Sequence, residues 1–301
     1  VFIATHIGLP VSSSHALIGG ILGTGVAVAG LDALILPPPG ILEQLALYSL
    51  LGGIIGAAIF GILAGFLEEP VKPAVILGAI FGISASIPLL MMTGVLVLSG
   101  MLAIVVFIFI SPIIGFSTAF LFDLLVSHLF RYSRQNRMKR IFQPLQVAAS
   151  LFQAAGHGAN DGQHAVGVIT ALLLAGGLIA SFTVPLWVVI SSAAAIALGT
   201  SFGGWKVINK LAKEITKIRP YQGFCAASSG GAVLSMVTLF GIPVSSTQVM
   251  SGAIVGVGAT RGQKAVKWEV PRQMMQAWLI TIPLAFAISW IGYLIVSVAL
   301  L

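Results

Sequence analysis

Apolar positions in this chain run on without a break and do not alternate with polar ones. Stretches long enough to cross a bilayer, at ~20 apolar residues each, cover residues 45–67, 74–91, 95–128, 145–180, 183–204, 222–259 and 275–300, and an opening stretch covers 1–28. Continuous apolar runs predict helices, because a membrane barrel alternates with a period of two. Helices and closed barrels are the structures that satisfy their backbone in lipid. Three of the stretches, 1–28, 145–180 and 222–259, carry polar interruptions and are expected to be broken. "FLEEPVK" (66–72) reads as a short turn between spans.

Composition agrees with this pattern. The 301 residues are 58% hydrophobic and 8% charged, with a mean hydropathy of +1.07. A soluble domain carries about a quarter charged residues, so the bilayer is the partner this chain is built for. The formal net charge of +7 sits in three short stretches, "RYSRQNRMKR" (131–140), "KVINKLAKEITKIR" (206–219) and "RGQKAVKWEVPR" (261–272). Short basic stretches between spans are the positive-inside signal of cytoplasmic loops. They are not a nucleic-acid signal, and no nucleic-acid partner is expected. The single Cys225 excludes an internal disulfide and a thiolate metal cluster. The chain holds no HExxH and no GxxxxGK[ST], so an enzyme such as an intramembrane zinc protease finds no support, nor does a nucleotide-driven pump.

Two stretches repeat each other at an offset of 233 residues. "GLPVSSSHALIGGILGTG" (8–25) matches "GIPVSSTQVMSGAIVGVG" (241–258) at Gly8/Gly241, Pro10/Pro243, Val11/Val244, Ser12/Ser245, Ser13/Ser246, Gly19/Gly252, Ile21/Ile254, Gly23/Gly256 and Gly25/Gly258. With the basic stretches inside, 222–259 enters and leaves on one side. Counting back three crossings puts 29–40, which has no Lys or Arg, outside. The two copies then have opposite topology, the mark of an inverted-repeat secondary transporter. The expected fold is an all-α polytopic membrane protein with broken helices or re-entrant hairpins. Residues 1–130 are read as part of a first repeat plus additional helices, 131–144 as a basic cytoplasmic loop, and 145–301 as the second, inverted repeat.

Each PVSS motif follows a Gly and precedes an apolar helix, where Pro suits the first turn and Ser or Thr the N-cap. Ordinary capping explains one such motif. Two copies beside helix breaks suggest half-helix N-termini facing a cavity, where free N–H groups and hydroxyls make an anion site. Ser12, Ser13, Ser14, Ser245, Ser246 and Thr247 are the candidate donors, and no basic residue falls inside the polar breaks. "HGANDGQH" (157–164) has the opposite polarity. Asp161 is read as the one acidic residue in the middle of a long apolar segment, and ionisable groups at membrane depth are functional by default. Asn160, Asp161 and carbonyls unwound at Gly156, Gly158 and Gly162 are hard oxygen donors for Na⁺ or for proton exchange, and Gln163 can donate to an anion. His15, His157, His164 and Gln248 read as supporting groups around the site. The GxxxG spacings at Gly19/Gly23, Gly252/Gly256, Gly52/Gly56 and Gly61/Gly65 permit close helix packing, and the Gly-rich face 51–65 suits packing or a homodimer.

Together "GLPVSSSH", "HGANDGQH", "VPLWVVISSAAAIALGTSFGGWKVI" and "GIPVSSTQVMSGAIVGVG" resemble the inorganic phosphate transporter (PiT) family over 1–25 and 145–300. The resemblance implies two inverted halves, each with a GAND-type and a PVSS-type motif, that move phosphate with Na⁺ or H⁺ and need no cofactor. It places phosphate on Ser12, Ser13, Ser14, Gln163, Ser245, Ser246 and Thr247, and Na⁺ on Asn160 and Asp161. Some relatives carry sulfate. Phosphate near neutral pH still carries a proton that it can donate to Asp161, whereas sulfate does not. A passive anion channel and a non-transporting scaffold are the rival readings. The resemblance implies a multi-pass protein of a prokaryotic plasma membrane. This chain shows one GAND-type motif where the family has two, so the other is expected before residue 1. Gln248 also departs from the His at position 15 of the first copy.

Overall fold

The computed structural model describes residues 1–34, 37–66, 71–98, 100–242 and 244–300. Pro243 of the second motif and most of the turn read over 66–72 lie outside the described residues. Among the described residues, eleven α-helices follow in order: α1 (Phe2–Ile7), α2 (Ser13–Ala29), α3 (Ile41–Phe66), α4 (Val71–Met92), α5 (Gly100–Leu129), α6 (Gln135–Ala175), α7 (Leu186–Phe202), α8 (Trp205–Asn209), α9 (Pro220–Leu239), α10 (Ser246–Ala259) and α11 (Glu269–Leu300). Among the described residues there is no strand. Five helices of the described residues are long and apolar enough to cross a membrane, or six if α7 and the helical stretch after it count as one bent span. Apolar side chains such as Leu50, Leu151 and Ile288 stand exposed around the outside, as a protein solvated by lipid requires.

Two of the three expected breaks are present, and they share one geometry. α1 ends at Gly8, with φ of 81°, whose N–H donates to Thr5 O while Leu9 N–H donates to Ala4 O. α9 ends in the same way: Gly241 has φ of 64°, its N–H donates to Thr238 O, and Ile242 N–H donates to Val237 O. This left-handed glycine turn satisfies the last carbonyls of each helix. Four residues past each glycine, Ser12 and Ser245 cap α2 and α10 by accepting from His15 N–H and Gln248 N–H. α10, with 14 residues, is about 21 Å long. That is too short to cross a hydrocarbon core of ~30 Å.

The third expected break is absent. α6 runs unbroken from Gln135 to Ala175, so the backbone around Gly156, Gly158 and Gly162 is helical and supplies no unwound carbonyls. Gly156 serves packing instead: a methyl there would lie 2.9 Å from Ser235 Oγ and 3.2 Å from Gly231 O, both on α9. The basic stretch read as a loop over 131–144 is a short turn followed by the first turns of α6. A break not anticipated lies at Gly203 and Gly204, where α7 meets α8 at 67° and Gly204 takes φ of 92°.

The halves pack crosswise. α2 lies against α11, with Gly19 and Gly23 pressed on the Ile282 and Phe286 carbonyls. α10 lies against α5, with Gly252 and Gly256 pressed on the Pro112 and Phe116 carbonyls. The glycines are equivalent in the repeat, so the same seat is built twice. Gly52 and Gly56 of α3 face α4 in the same manner, whereas Gly65 faces open space.

A Cβ at Gly256 has nowhere to go but into backbone. Gly256→Val is expected to destabilise the protein by more than about 2 kcal/mol, seen as a lower thermal unfolding midpoint in detergent. Gly65→Ala should leave the midpoint unchanged or raise it slightly.

Candidate functional site

The two PVSS turns and the GAND stretch meet at one carboxylate. Asp161 projects from the middle of α6. Its Oδ1 accepts the Ser246 hydroxyl at 2.9 Å and its Oδ2 accepts the Ser13 hydroxyl at 3.3 Å. These serines are equivalent in the repeat, each the first residue of its half-helix. One acidic side chain therefore joins both half-helix N-termini, where the helix dipoles favour negative charge. His157, one turn earlier on α6, brings Nε2 to 3.5 Å from Asp161 Oδ2. Asp161 keeps 18% of its side chain exposed, toward a cavity of about 910 Å³ that Ser13, Thr247 and His157 also line.

Asn160 is a fastener. It is buried, and its Nδ2 donates to Val244 O at 3.3 Å and to Asp161 Oδ1 at 3.2 Å. Its Oδ1 accepts the Thr238 hydroxyl at 3.4 Å. The side chain thus spans the gap between the end of α9 and the start of α10 and aims the carboxylate beside it. Gln163 donates to Thr238 O at 3.3 Å. That bond ties Gln163 of α6 to the end of α9. His164 Nδ1 lies 2.8 Å from Asn160 O within α6.

The remaining candidates divide. Ser12 and Ser245 are buried caps, Ser14 is buried, and Thr247, its counterpart, lines the cavity. His15 and Gln248 occupy equivalent positions in the first turns of α2 and α10. Both are buried, and among the described residues His15 Nδ1 and both polar atoms of the Gln248 side chain have no partner. Thr5 and Val11, equivalent to Thr238 and Val244, also line the cavity.

Two residues of note escaped the sequence reading. Lys206 lines the cavity although it lies outside every polar break. The bend at Gly203 and Gly204 carries it there, and its Cβ sits where a methyl on Gly8 would come within 3.2 Å. Asp123 corrects the statement that Asp161 is alone as an acidic group in an apolar segment. It is fully buried in α5, accepts the Thr260 hydroxyl at 2.6 Å, and leaves Oδ1 unpartnered. Its apolar neighbours on both sides in "FLFDLLV" were the available signal.

Comparison with known proteins follows from this geometry. The profile described as the phosphate transporter family matches residues 1–76 and 127–289. A probable low-affinity inorganic phosphate transporter of Rhizobium meliloti is 36% identical over 287 residues, covering 95% of this chain and 67% of that protein. One of Bacillus subtilis is 36% identical over 199 residues, covering 66% and 60%. One of Mycobacterium leprae is 30% identical over 292 residues, covering 96% and 56%. The chain thus spans between about half and two thirds of the length of these relatives. Among solved structures, the sodium-dependent phosphate transporter superposes with a TM-score of 0.59 at 21% identity, over 99% of this chain and 76% of that one. That likeness concerns the fold.

Asn160→Ala removes a clamp between α6, α9 and α10 and leaves the Thr238 hydroxyl and Val244 carbonyl without their partner. The loss expected is about 2 kcal/mol, read as a lower unfolding midpoint. His164→Ala, which removes one contact internal to α6, should cost well under half of that.

Proposed function

The chain belongs to the phosphate transporter family, and from that membership we propose that it forms the transport core of a multi-pass secondary transporter that carries inorganic phosphate with a coupled cation, Na⁺ in the first place, across a prokaryotic plasma membrane. The observation that carries the reading is the bridge from Ser13 through Asp161 to Ser246. Phosphate binds in the cavity between the N-termini of α2 and α10, where Ser13 and Thr247 line the wall and the buried Ser246 hydroxyl becomes available on release from Asp161. Each hydroxyl has one proton, so a serine that donates to phosphate must release Asp161. A cation on the carboxylate and on Asn160 then replaces those two donors and cancels the repulsion between Asp161 and the anion. Cation and anion thereby favour each other's binding, which is the coupling that a symporter needs. The proton on phosphate can also reach Asp161 as a donor, which sulfate cannot offer. Sulfate is therefore expected to compete poorly.

Lys206 sits on the cavity wall and supplies positive charge as the anion approaches, and His157 lines the same wall. Gln163 takes no direct part in this reading, because its amide is engaged with Thr238 O. The relatives are named as transporters, and the chemistry required is binding and release, with no bond made or broken.

The test uses the complete protein in liposomes. Asp161→Asn should cut phosphate uptake at least about tenfold and abolish its rise with Na⁺. Ser246→Ala, which removes one donor, should raise the KM for phosphate by roughly five- to thirtyfold. Uptake that kept its full rate and Na⁺ dependence in Asp161→Asn would sink the reading.

A further inference from the structure

A second polar cavity lies apart from the transport site, where α5 ends, α6 begins and α9 starts. It measures about 350 Å³ and is lined by Ser127, Phe130, Arg131, Lys139, Arg219 and Tyr221, among others. Three cations from three separate segments converge here, and no acidic residue lines the cavity. Among the described residues none of the three makes an ion pair. Cations gathered without counter-charges repel one another, an arrangement that stabilises only with an anion between them.

The surroundings say which anion. Leu124, one turn before Ser127 on the face of α5 that carries Ser127 and Arg131 to the cavity, is 41% exposed, as a lipid-facing apolar position is. At the rim the Arg131 guanidinium lies 4.6 Å from the centre of the Tyr132 ring. Tyr132 itself is 87% exposed. An exposed tyrosine with a stacked arginine just beyond a spanning helix marks the level of the lipid headgroups. The cavity therefore opens at headgroup depth, with the exposed Leu124 a turn below on the same face of α5 and the cations above.

We propose that this cavity binds the phosphodiester headgroup of an anionic phospholipid. One acyl chain lies along Leu124 on the same face of α5, and the phosphate sits among Arg131, Lys139 and Arg219. The charge pattern of the sequence puts this end of the bundle on the cytoplasmic side, where anionic lipid headgroups meet basic pockets between spans. The bound lipid ties the start of α9, and so the hairpin that carries Ser246, to the end of α5. The inference does not rest on the identity of the transported anion.

The test is a binding titration on the full-length, detergent-purified transporter, read by native mass spectrometry and by thermal unfolding. The probes are short-chain phosphatidylglycerol, phosphatidylcholine of the same chain length, and inorganic phosphate. Phosphatidylglycerol should bind and raise the unfolding midpoint, and phosphatidylcholine should do so far less. Each cation near the surface contributes about fivefold, so R131Q/K139Q should weaken phosphatidylglycerol binding about 25-fold. R131K/K139R should bind nearly as the parent does. Because R131Q/K139Q relieves the repulsion among the three cations, its midpoint without lipid should equal or slightly exceed that of the parent. If that variant proves unstable, K139Q alone should still show the fivefold loss. Equal binding of the two lipids would overturn the proposal, as would undiminished phosphatidylglycerol binding in R131Q/K139Q. Displacement of the lipid by inorganic phosphate at similar concentration would make the cavity a free-anion site and overturn it too. Phosphate uptake in liposomes is measured in parallel, so failure of the transport reading is scored separately.

Discussion

A carboxylate at membrane depth must be hydrogen-bonded or neutralised, since an isolated charge there is costly. Asp161 meets that demand with two serine hydroxyls, Ser13 from α2 and Ser246 from α10, and the rest of the site is arranged around this need. The left-handed turns at Gly8 and Gly241 stop one helix so that another can begin within the bundle. The Ser12 and Ser245 caps free the next residue's hydroxyl to face inward. Asn160 fixes the turn before α10 to α6 at the position from which Asp161 can reach both serines. Removing the carboxylate would leave two half-helix N-termini with nothing in common to point at.

The glycine seats determine which parts hold together. α2 presses Gly19 and Gly23 on α11, and α10 presses Gly252 and Gly256 on α5. Backbone in contact with backbone leaves no side chain to readjust, so each pair moves as a body or stays still. The crosswise pairing also explains why the repeat is not a simple doubling along the chain. Each half-helix finds its support on a long helix from the other half. In the proposed transport cycle the two bodies shift against each other, and the polar contacts between them that must be remade are those at Asp161.

Much of this was legible in the sequence, for physical reasons. The unbroken apolar runs marked the spans, and the 233-residue repeat marked both hairpins, because a glycine turn followed by a serine cap has the same requirements wherever it occurs. Asp161 and the serines stood out because polar groups in apolar sequence need a reason. Other features left no local trace. Glycines at 156, 158 and 162 permit either unwinding or close packing, and only the presence of α9 against Gly156 decides for packing and an unbroken α6. Lys206 belongs to the cavity through a bend 67° in size, which one Gly-Gly pair does not disclose. The bond from Gln163 to the Thr238 carbonyl joins positions 75 residues apart, which no local pattern discloses.

α10 shows how these elements act together. Its N-terminal Ser246 is bonded to Asp161, and at its other end Thr260 donates to Asp123 on α5. Between them the helix is buried on nearly every side. A rod of about 21 Å fixed by a carboxylate at each end cannot slide along its axis without breaking one of the two bonds. The seat of Gly252 and Gly256 on the α5 carbonyls opposes the same movement, and Asp123 belongs to α5 as well. The bond at Asp123 therefore lies inside one body, while the bond at Asp161 connects that body to α6. Any displacement of α5 and α10 together leaves the first bond whole and falls on the second, at the carboxylate where cation and anion are proposed to meet.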